Sequence, residues 1–353
     1  MNNRPYTVVL LVPTGIGAAI GGYAGDALPV ARAISQICDR LITHPNVLNG
    51  AQLYWPLPNT YYVEGYGLDR FAQGKWGLQS VHQNRVGLIL DQAIEPDLKT
   101  RHLQAAEATR ATLGLDLTDY IVTDAPLNVE LRTAHSGASW GTIGNPDSLL
   151  RAAETLITKA EATAIAVVAR FPDEVESLVL ENYRHGQGVD PLAGAEAVIS
   201  HLIVRQFRLP AAHAPALRPL PLDPTISPRA AAEELGYTFL PCVLVGLSRA
   251  PQFCTERSVG EIWTEAVDAV VIPETACGGS AMLSFSQHNA RIIAVTDNQT
   301  QLHVTPESLG IEAIKVHSYL EALGVLVAHR AGISVDALRP QISSLACLSQ
   351  TCE

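Results

Sequence analysis

Apolar runs separated by small-residue turns recur along the chain, and their spacing predicts strands alternating with helices. Thr7 to Val12, Arg40 to Thr43, Arg85 to Asp91, Asp119 to Asp124, Ala164 to Arg170, Phe239 to Leu247, Ala269 to Pro273, Arg291 to Val295 and Glu312 to Val316 read as strands. Helical spacing is predicted for about Ala27 to Asp39, Leu98 to Leu113, Ser148 to Ala162, Glu174 to Tyr183, Leu192 to Phe207, Ala230 to Leu235, Ile262 to Val267, Ala281 to His288 and Ser318 to Ala331. Asp26, Asp97 and Asp147 stand where N-caps belong. This alternation predicts an α/β fold, a mostly parallel sheet flanked by helices, with two Rossmann-like lobes as one arrangement. Prolines at 210, 215, 219, 221, 224 and 228 mark a crossing segment. They suggest lobes at 1–208 and 230–353 joined by 209–229, with a single α/β domain over 1–353 as the alternative.

In a parallel sheet, ligands gather at the carboxyl ends of the strands. Four or five loops at strand ends are expected to build one crevice there. The first contains Thr14, Gly15 and Gly17, whose backbone N–H groups could approach an anion. It does not fit the dinucleotide fingerprint, because it is too long and no acidic residue ends the second strand. The second contains His44 and Asn46, and the third His135 and Ser136, beside no Gly-x-Ser-x-Gly elbow. Arg249, after the apolar run ending at Leu247, reads as an anion clamp. Glu274, Cys277, Gly278, Gly279 and Ser280 form a turn before a helix, with Asp297 and Asn298 closing the next strand. A cysteine at such a helix start has its thiol pKa lowered and N–H donors nearby, so Cys277 reads as nucleophile with Glu274 or His44 as its base. Packing of small residues is the competing use of the same turn. His201, inside a predicted helix, and His213 read as core or surface groups.

Composition narrows the function classes. The 353 residues carry 24 basic and 35 acidic side chains, a formal charge of -11, and no basic run, which disfavours nucleic-acid and anionic-membrane surfaces. A 47% hydrophobic content supplies a core without difficulty. No apolar run approaches the roughly 20 residues of a membrane span. Pro13, Gly15 and Gly17 interrupt the only segment resembling a signal peptide. Cysteines at 38, 242, 254, 277, 347 and 352 have no zinc-ligand spacing and suit free thiols in a reducing compartment, with Cys347 and Cys352 close enough to form a redox pair. These features point to a cytoplasmic protein. The aromatic stretch from Tyr54 to Gln83 suits a covering over a site or a homo-oligomer interface.

The strand, Gly-Gly-Ser turn and helix from Asp268 to Asn298 resemble part of the nucleotide-sugar epimerases and glycosyltransferases built of two Rossmann lobes. Over its whole length the chain resembles an uncharacterised cyanobacterial and plastid family of about this size. The residues that carry this are Pro13-Thr14-Gly15-Ile16-Gly17 with Gly21-Gly22-Tyr23-Ala24-Gly25-Asp26, Thr43-His44-Pro45-Asn46-Val47-Leu48-Asn49-Gly50, and Glu274-Thr275-Ala276-Cys277-Gly278-Gly279. The resemblance implies a cytoplasmic or plastid stromal location and transfers no catalytic role. The expectation is an enzyme acting by hydrolysis, isomerisation or group transfer on a small anionic molecule, with its cofactor unspecified and no metal ligands assigned. A non-catalytic nucleotide or metabolite sensor and a structural oligomer are the alternatives.

Overall fold

A computed structural model describes residues 4–48, 53, 55–173, 177–234 and 239–345. Among these, two parallel sheets carry the fold. The first takes three strands from each end of the chain: β1 (Thr7–Leu10), β2 (Arg40–Thr43) and β3 (Thr60–Tyr62) join β12 (Val267–Pro273), β13 (Arg291–Val295) and β14 (Ile314–Val316) in the order β14-β13-β12-β1-β2-β3. The second uses the middle of the chain: β5 (Val86–Leu90), β6 (Leu117–Val122), β9 (Ala164–Arg170) and β10 (Ala211–Ala216), in the order β10-β9-β5-β6. Every pairing within these two sheets is parallel. The pairing of β1 with β12 runs across the 209–229 segment at which the prolines suggest a division. Two antiparallel ribbons complete the strands: β4 (Gly77–Gln79) with β11 (Gln252–Cys254), and β7 (Val129–Thr133) with β8 (Ser139–Ile143).

Alternation along the strands sets the layers. Val8, Leu10, Leu41, Val271 and Ile293 of the first sheet share one core with Val86, Leu88, Ala166, Val168 and Ala214 of the second. Val9, Ile42, Val270 and Ile292 face the opposite side of the first sheet, and Ile89, Ile165 and Val167 that of the second. The shared layer also holds α9 (Phe239–Ser248), a helix where the apolar run Phe239 to Leu247 reads as a strand. Eight of its ten residues are buried, so polarity has no period along it and cannot separate helix from strand. Pro241, in the first turn of α9, lacks an N–H where none is needed.

The proline-rich stretch also departs from expectation, because its first part is β10. Pro215 sits in that strand without cost to a ladder, since β10 is the outer strand and pairs on one side with β9. The predicted loop from His135 to Asp147 contains β8. The predicted helix Ile262 to Val267 is one 3-10 turn, Thr264–Ala266, leading into β12. Helix caps differ as well: Glu95, Asn145 and Ala27 hold the cap positions expected of Asp97, Asp147 and Asp26.

Two helices bring the sheets together at one place. α3 (Gly65–Ala72) follows β3 of the first sheet, and α7 (Ala193–Phe207) precedes β10 of the second. They pack on one another, and α3 also packs on α10 (Ser280–Phe285) after β12. The glycine loop after β1 closes the same junction. Gly15 has φ +71°, and a Cβ there would lie 2.5 Å from Ser139 Oγ of β8. Its carbonyl accepts from Ser139 N–H at 2.8 Å. This loop is a seam between the two halves, which explains its glycine content.

Candidate functional site

The carboxyl ends of both sheets open onto one cavity of about 980 Å³. From the first sheet come Leu11 and Pro13 after β1, His44 after β2, Glu64 after β3 and Ala276 after β12; from the second come Pro172 after β9 and Leu217 after β10. α7 supplies Glu196, Ala197, Ser200 and His201. The volume is at the upper end of the range for small-molecule sites.

At the α3–α7 junction the cavity wall holds a carboxylate–imidazole pair. Glu64 is 3% exposed and is the N-cap of α3, where its Oε2 accepts from the N–H groups of Tyr66 at 2.8 Å and Gly67 at 3.2 Å. Its other oxygen, Oε1, lies against Nδ1 of His201. The cap fixes the carboxylate, and the carboxylate orients the ring. Burial by itself would lower the His201 pKa, but the bond to Glu64 and the charges of Glu64 and Asp69 outweigh it and hold it above the ordinary histidine value. Gly65 makes room for this ring, since a Cβ there would sit 3.0 Å from His201 Cε1.

A chain of polar groups continues from the pair. Ser200 Oγ donates to Glu64 Oε1 at 3.4 Å, and His213 Nδ1 meets Ser200 Oγ at 3.2 Å. His213 Nε2 then lies 3.8 Å from Glu196 Oε2. Burial, with the charge of His201, pushes His213 down to about 3, so the ring is neutral at pH 7. Burial, and then the charge of Asp190, raises Glu196 well above the carboxylate range. Burial also pushes Asp190 up to about 6, although the N–H groups of Leu192 and Ala193 oppose this. One side of the cavity therefore carries an imidazole that favours its proton, and the other a carboxyl that retains one. Both shifts favour the protonated form: the first makes His201 the stronger base, and the second holds a proton on Glu196 more readily than on a free carboxyl.

The residues singled out from the sequence fall into three groups. Thr14, His44, Asn46, Gly279 and Ser280 line the cavity. His44 accepts Val12 N–H at Nε2 (3.1 Å), and burial pushes its pKa down to about 4, so it is neutral there. Asn46 donates to Gly21 carbonyl at 2.7 Å.

A second group serves packing or local structure. Cys277 is 0% exposed, and its thiol donates to Glu274 carbonyl at 3.3 Å. Burial, followed by the charges of Glu274 and Glu307, pushes the thiol up to about 12. That is the reverse of the lowered pKa a nucleophile needs, so the reading of Cys277 as nucleophile gives way to packing. Glu274, its expected base, is paired with Lys315 at 2.5 Å. Asn298 accepts Ile20 N–H at 2.7 Å and donates to Ile20 carbonyl at 2.9 Å, clamping the glycine loop. Gly278 lies against Val304, and Gly15 and Gly17 against β8 and the loop at 188–189.

The third group lies on the surface. His135 and Ser136 are exposed between β7 and β8, Asp297 faces His317 at 3.1 Å, and Arg249 is exposed just after α9. Arg249 ends a helix rather than a strand and does not border the cavity, so an anion clamp there has no geometric support. Cys347 and Cys352 lie outside the described residues.

The sequence reading missed Glu64, Asp69, Asp190, Glu196, Ser200, His201 and His213. One signal was available: Glu196 and Ser200 are four apart on a helix, with Ala197 and His201 in the adjacent row, so polar groups share a face. The pairing of His201 with Glu64 has no sequence signal, because 136 positions separate Ser200 from the same carboxylate.

Fold and site together define a parallel α/β protein with a cavity lined by carboxyl and imidazole groups where two sheets meet. A family described as "Protein of unknown function (DUF3326)" matches residues 7–339, and the chain belongs to that family. It is 61% identical over 342 residues to an uncharacterised lipoprotein of Synechococcus sp., covering 96% of this chain and 95% of the relative. The cyanobacterial family resemblance read from the sequence is thereby established. The expected cytoplasmic or plastid stromal location is corrected by the same finding, because the relative is named a lipoprotein, a membrane-anchored class. Among the described residues, no helix is long and apolar enough to cross a membrane. No solved structure matches the chain.

Proposed function

We propose that this protein is an enzyme that moves protons on a small, largely apolar molecule held in the cavity between the sheets. The observation that carries the reading is the Glu64–His201 pair on the wall of a 980 Å³ cavity at the carboxyl ends of both sheets. His201 takes a proton from the bound molecule, and Glu64 stabilises the imidazolium that forms. The Glu196 carboxyl, whose pKa burial and the charge of Asp190 raise, returns a proton to another atom of the same molecule. Such a division of roles serves hydrolysis, isomerisation or group transfer.

The test is incubation with a panel of apolar esters, ketones and amines in deuterated water, followed by mass spectrometry. Wild type should yield product or incorporate deuterium, and His201→Gln should lose roughly 100-fold of that rate, the usual size of one acid–base group. Turnover untouched by His201→Gln would remove the pair from the chemistry. A compound that raises the melting temperature and is never converted would favour the sensor reading.

A further inference from the structure

The structure assigns the cavity a substrate class: a single-chain amphiphile with an uncharged, oxygen-bearing head, the head against Glu64 and His201 and the hydrocarbon tail in the layer between the two sheets. The inference rests on the acid–base reading and names what that site would hold. It follows from how polarity is distributed along the cavity wall.

The two ends of the wall belong to different cores. At the end formed by α3 and α10, Leu68 and Met282 extend the core on one side of the first sheet. At the other, Leu98 of α4 (Pro96–Leu113), with Phe239 and Val243 of α9, belongs to the layer shared by both sheets. Leu217 after β10 and Leu180 of α6 (Ser177–Arg184) continue this apolar surface. It then reaches solvent, because Leu220 and Leu222 also border the cavity and Leu222 is fully exposed. An apolar path from outside to the Glu64–His201 pair suits a chain better than a compact ligand.

The charged groups on the wall already have protein partners. Arg184 pairs with Glu234 at 2.6 Å, Arg218 with Glu95 at 3.4 Å, and Asp173 with Arg170. Glu64 is taken by the α3 cap and His201, Asp69 accepts from Ala281 N–H and the Ser280 hydroxyl, and Asp190 accepts from Leu192 N–H at 2.8 Å. No lysine borders the cavity among the described residues. A carboxylate head would therefore meet carboxyl groups with neither a lysine nor an unpaired arginine to receive it. An ammonium head would lie against an imidazole that Glu64 holds ready for a proton of its own. A hydroxyl or carbonyl oxygen avoids both conflicts and hydrogen-bonds to Nε2 of His201, since Nδ1 is held by Glu64.

Titration calorimetry with hexanol, nonanol and dodecanol, below their aggregation concentrations, tests this, with dodecanoate and dodecylamine as charged counterparts. Affinity should rise about two- to fourfold for each added methylene, the usual gain for burying one. Dodecanol should bind at least about tenfold more tightly than either charged compound. Val243→Phe and Leu217→Trp each fill the tail end: dodecanol should weaken at least about tenfold in both, while hexanol binding stays unchanged and reports an intact site. An affinity that does not rise with chain length, a charged compound that binds as tightly as dodecanol, or a chain-length dependence that survives both variants overturns the inference and leaves the acid–base reading in place. Absence of alcohol binding also overturns it, and turnover in His201→Gln then decides the acid–base reading separately. If the chain-length dependence appears but His201→Gln leaves turnover untouched, the acid–base reading fails alone.

Discussion

Two turns at the carboxyl edge of the first sheet invite comparison. After β12, Glu274 and Cys277 stand in a short small-residue turn; after β3, Glu64 opens α3 and meets His201. Each places a carboxylate beside a group able to do chemistry. In the first turn both groups are already engaged, the thiol by the carbonyl of Glu274 and the carboxylate by Lys315 of β14. In the second, the partner arrives from the other sheet and the pair faces an open volume. The groups read from one contiguous turn are spent on structural partners, while the pair that faces the open cavity is assembled from two distant parts of the chain.

Substitutions can sharpen or break this contrast, and the largest effect is expected at Glu64. Glu64→Ala removes the α3 cap and the carboxylate in contact with His201, leaving the ring only the charge of Asp69, and should cost about 3 kcal/mol in urea unfolding. His201 should then titrate lower by NMR, since Glu64 is the main group raising it. An unchanged midpoint would mean that the carboxylate does not anchor the junction.

His44 is expected to govern part of the acid response. Its folded pKa of about 4 lies below the unfolded value near 6.5, so its contribution is complete above pH 6.5 and is lost as pH falls towards 4. The loss is about 3 kcal/mol. His213 adds to it in the same direction, whereas Asp190 and Glu196, with raised pKa values, gain stability as pH falls. His44→Gln, which keeps an acceptor for Val12 N–H, isolates the share of His44: unfolding measured at pH 7 and pH 4.5 should show the variant less acid-sensitive than wild type. Equal sensitivity would show that His44 does not change charge on unfolding.

Gly65→Ala is predicted to act on the ring rather than on the fold. The added Cβ would meet His201 Cε1 at 3.0 Å, so the stability change should be about 1 kcal/mol or less, while the His201 resonances shift. The other turn should respond in the opposite sense. Cys277→Ala should cost about 1 kcal/mol by removing a buried sulfur, with ligand binding intact, and Arg249→Ala should stay within about 0.5 kcal/mol. Loss of binding in Cys277→Ala would restore that turn as the site.

The sequence made much of the fold legible, and the reason is periodicity. β2, β9 and β13 match the predicted spans residue for residue, and β1, β5 and β12 are found within the predicted strands or a few residues beyond them. Where periodicity fails, the reading fails with it: α9 is buried all round, and β10 carries a proline that only an outer strand tolerates. β3 is three residues long inside an aromatic stretch, too short to show alternation. Missing it hid the strand-end position of Glu64. His44 and Asn46 were found because they follow a readable strand; His201 was passed over because a lone histidine in a helix acquires meaning only from its partner.

The central claim is that Glu64 and His201 form the working pair and that the cavity is where it works. An NMR titration of His201 tests this most directly, in wild type and Glu64→Gln. The account predicts a wild-type pKa above about 6.5 and a fall in the variant. A His201 that titrates at the ordinary value in both proteins would contradict it.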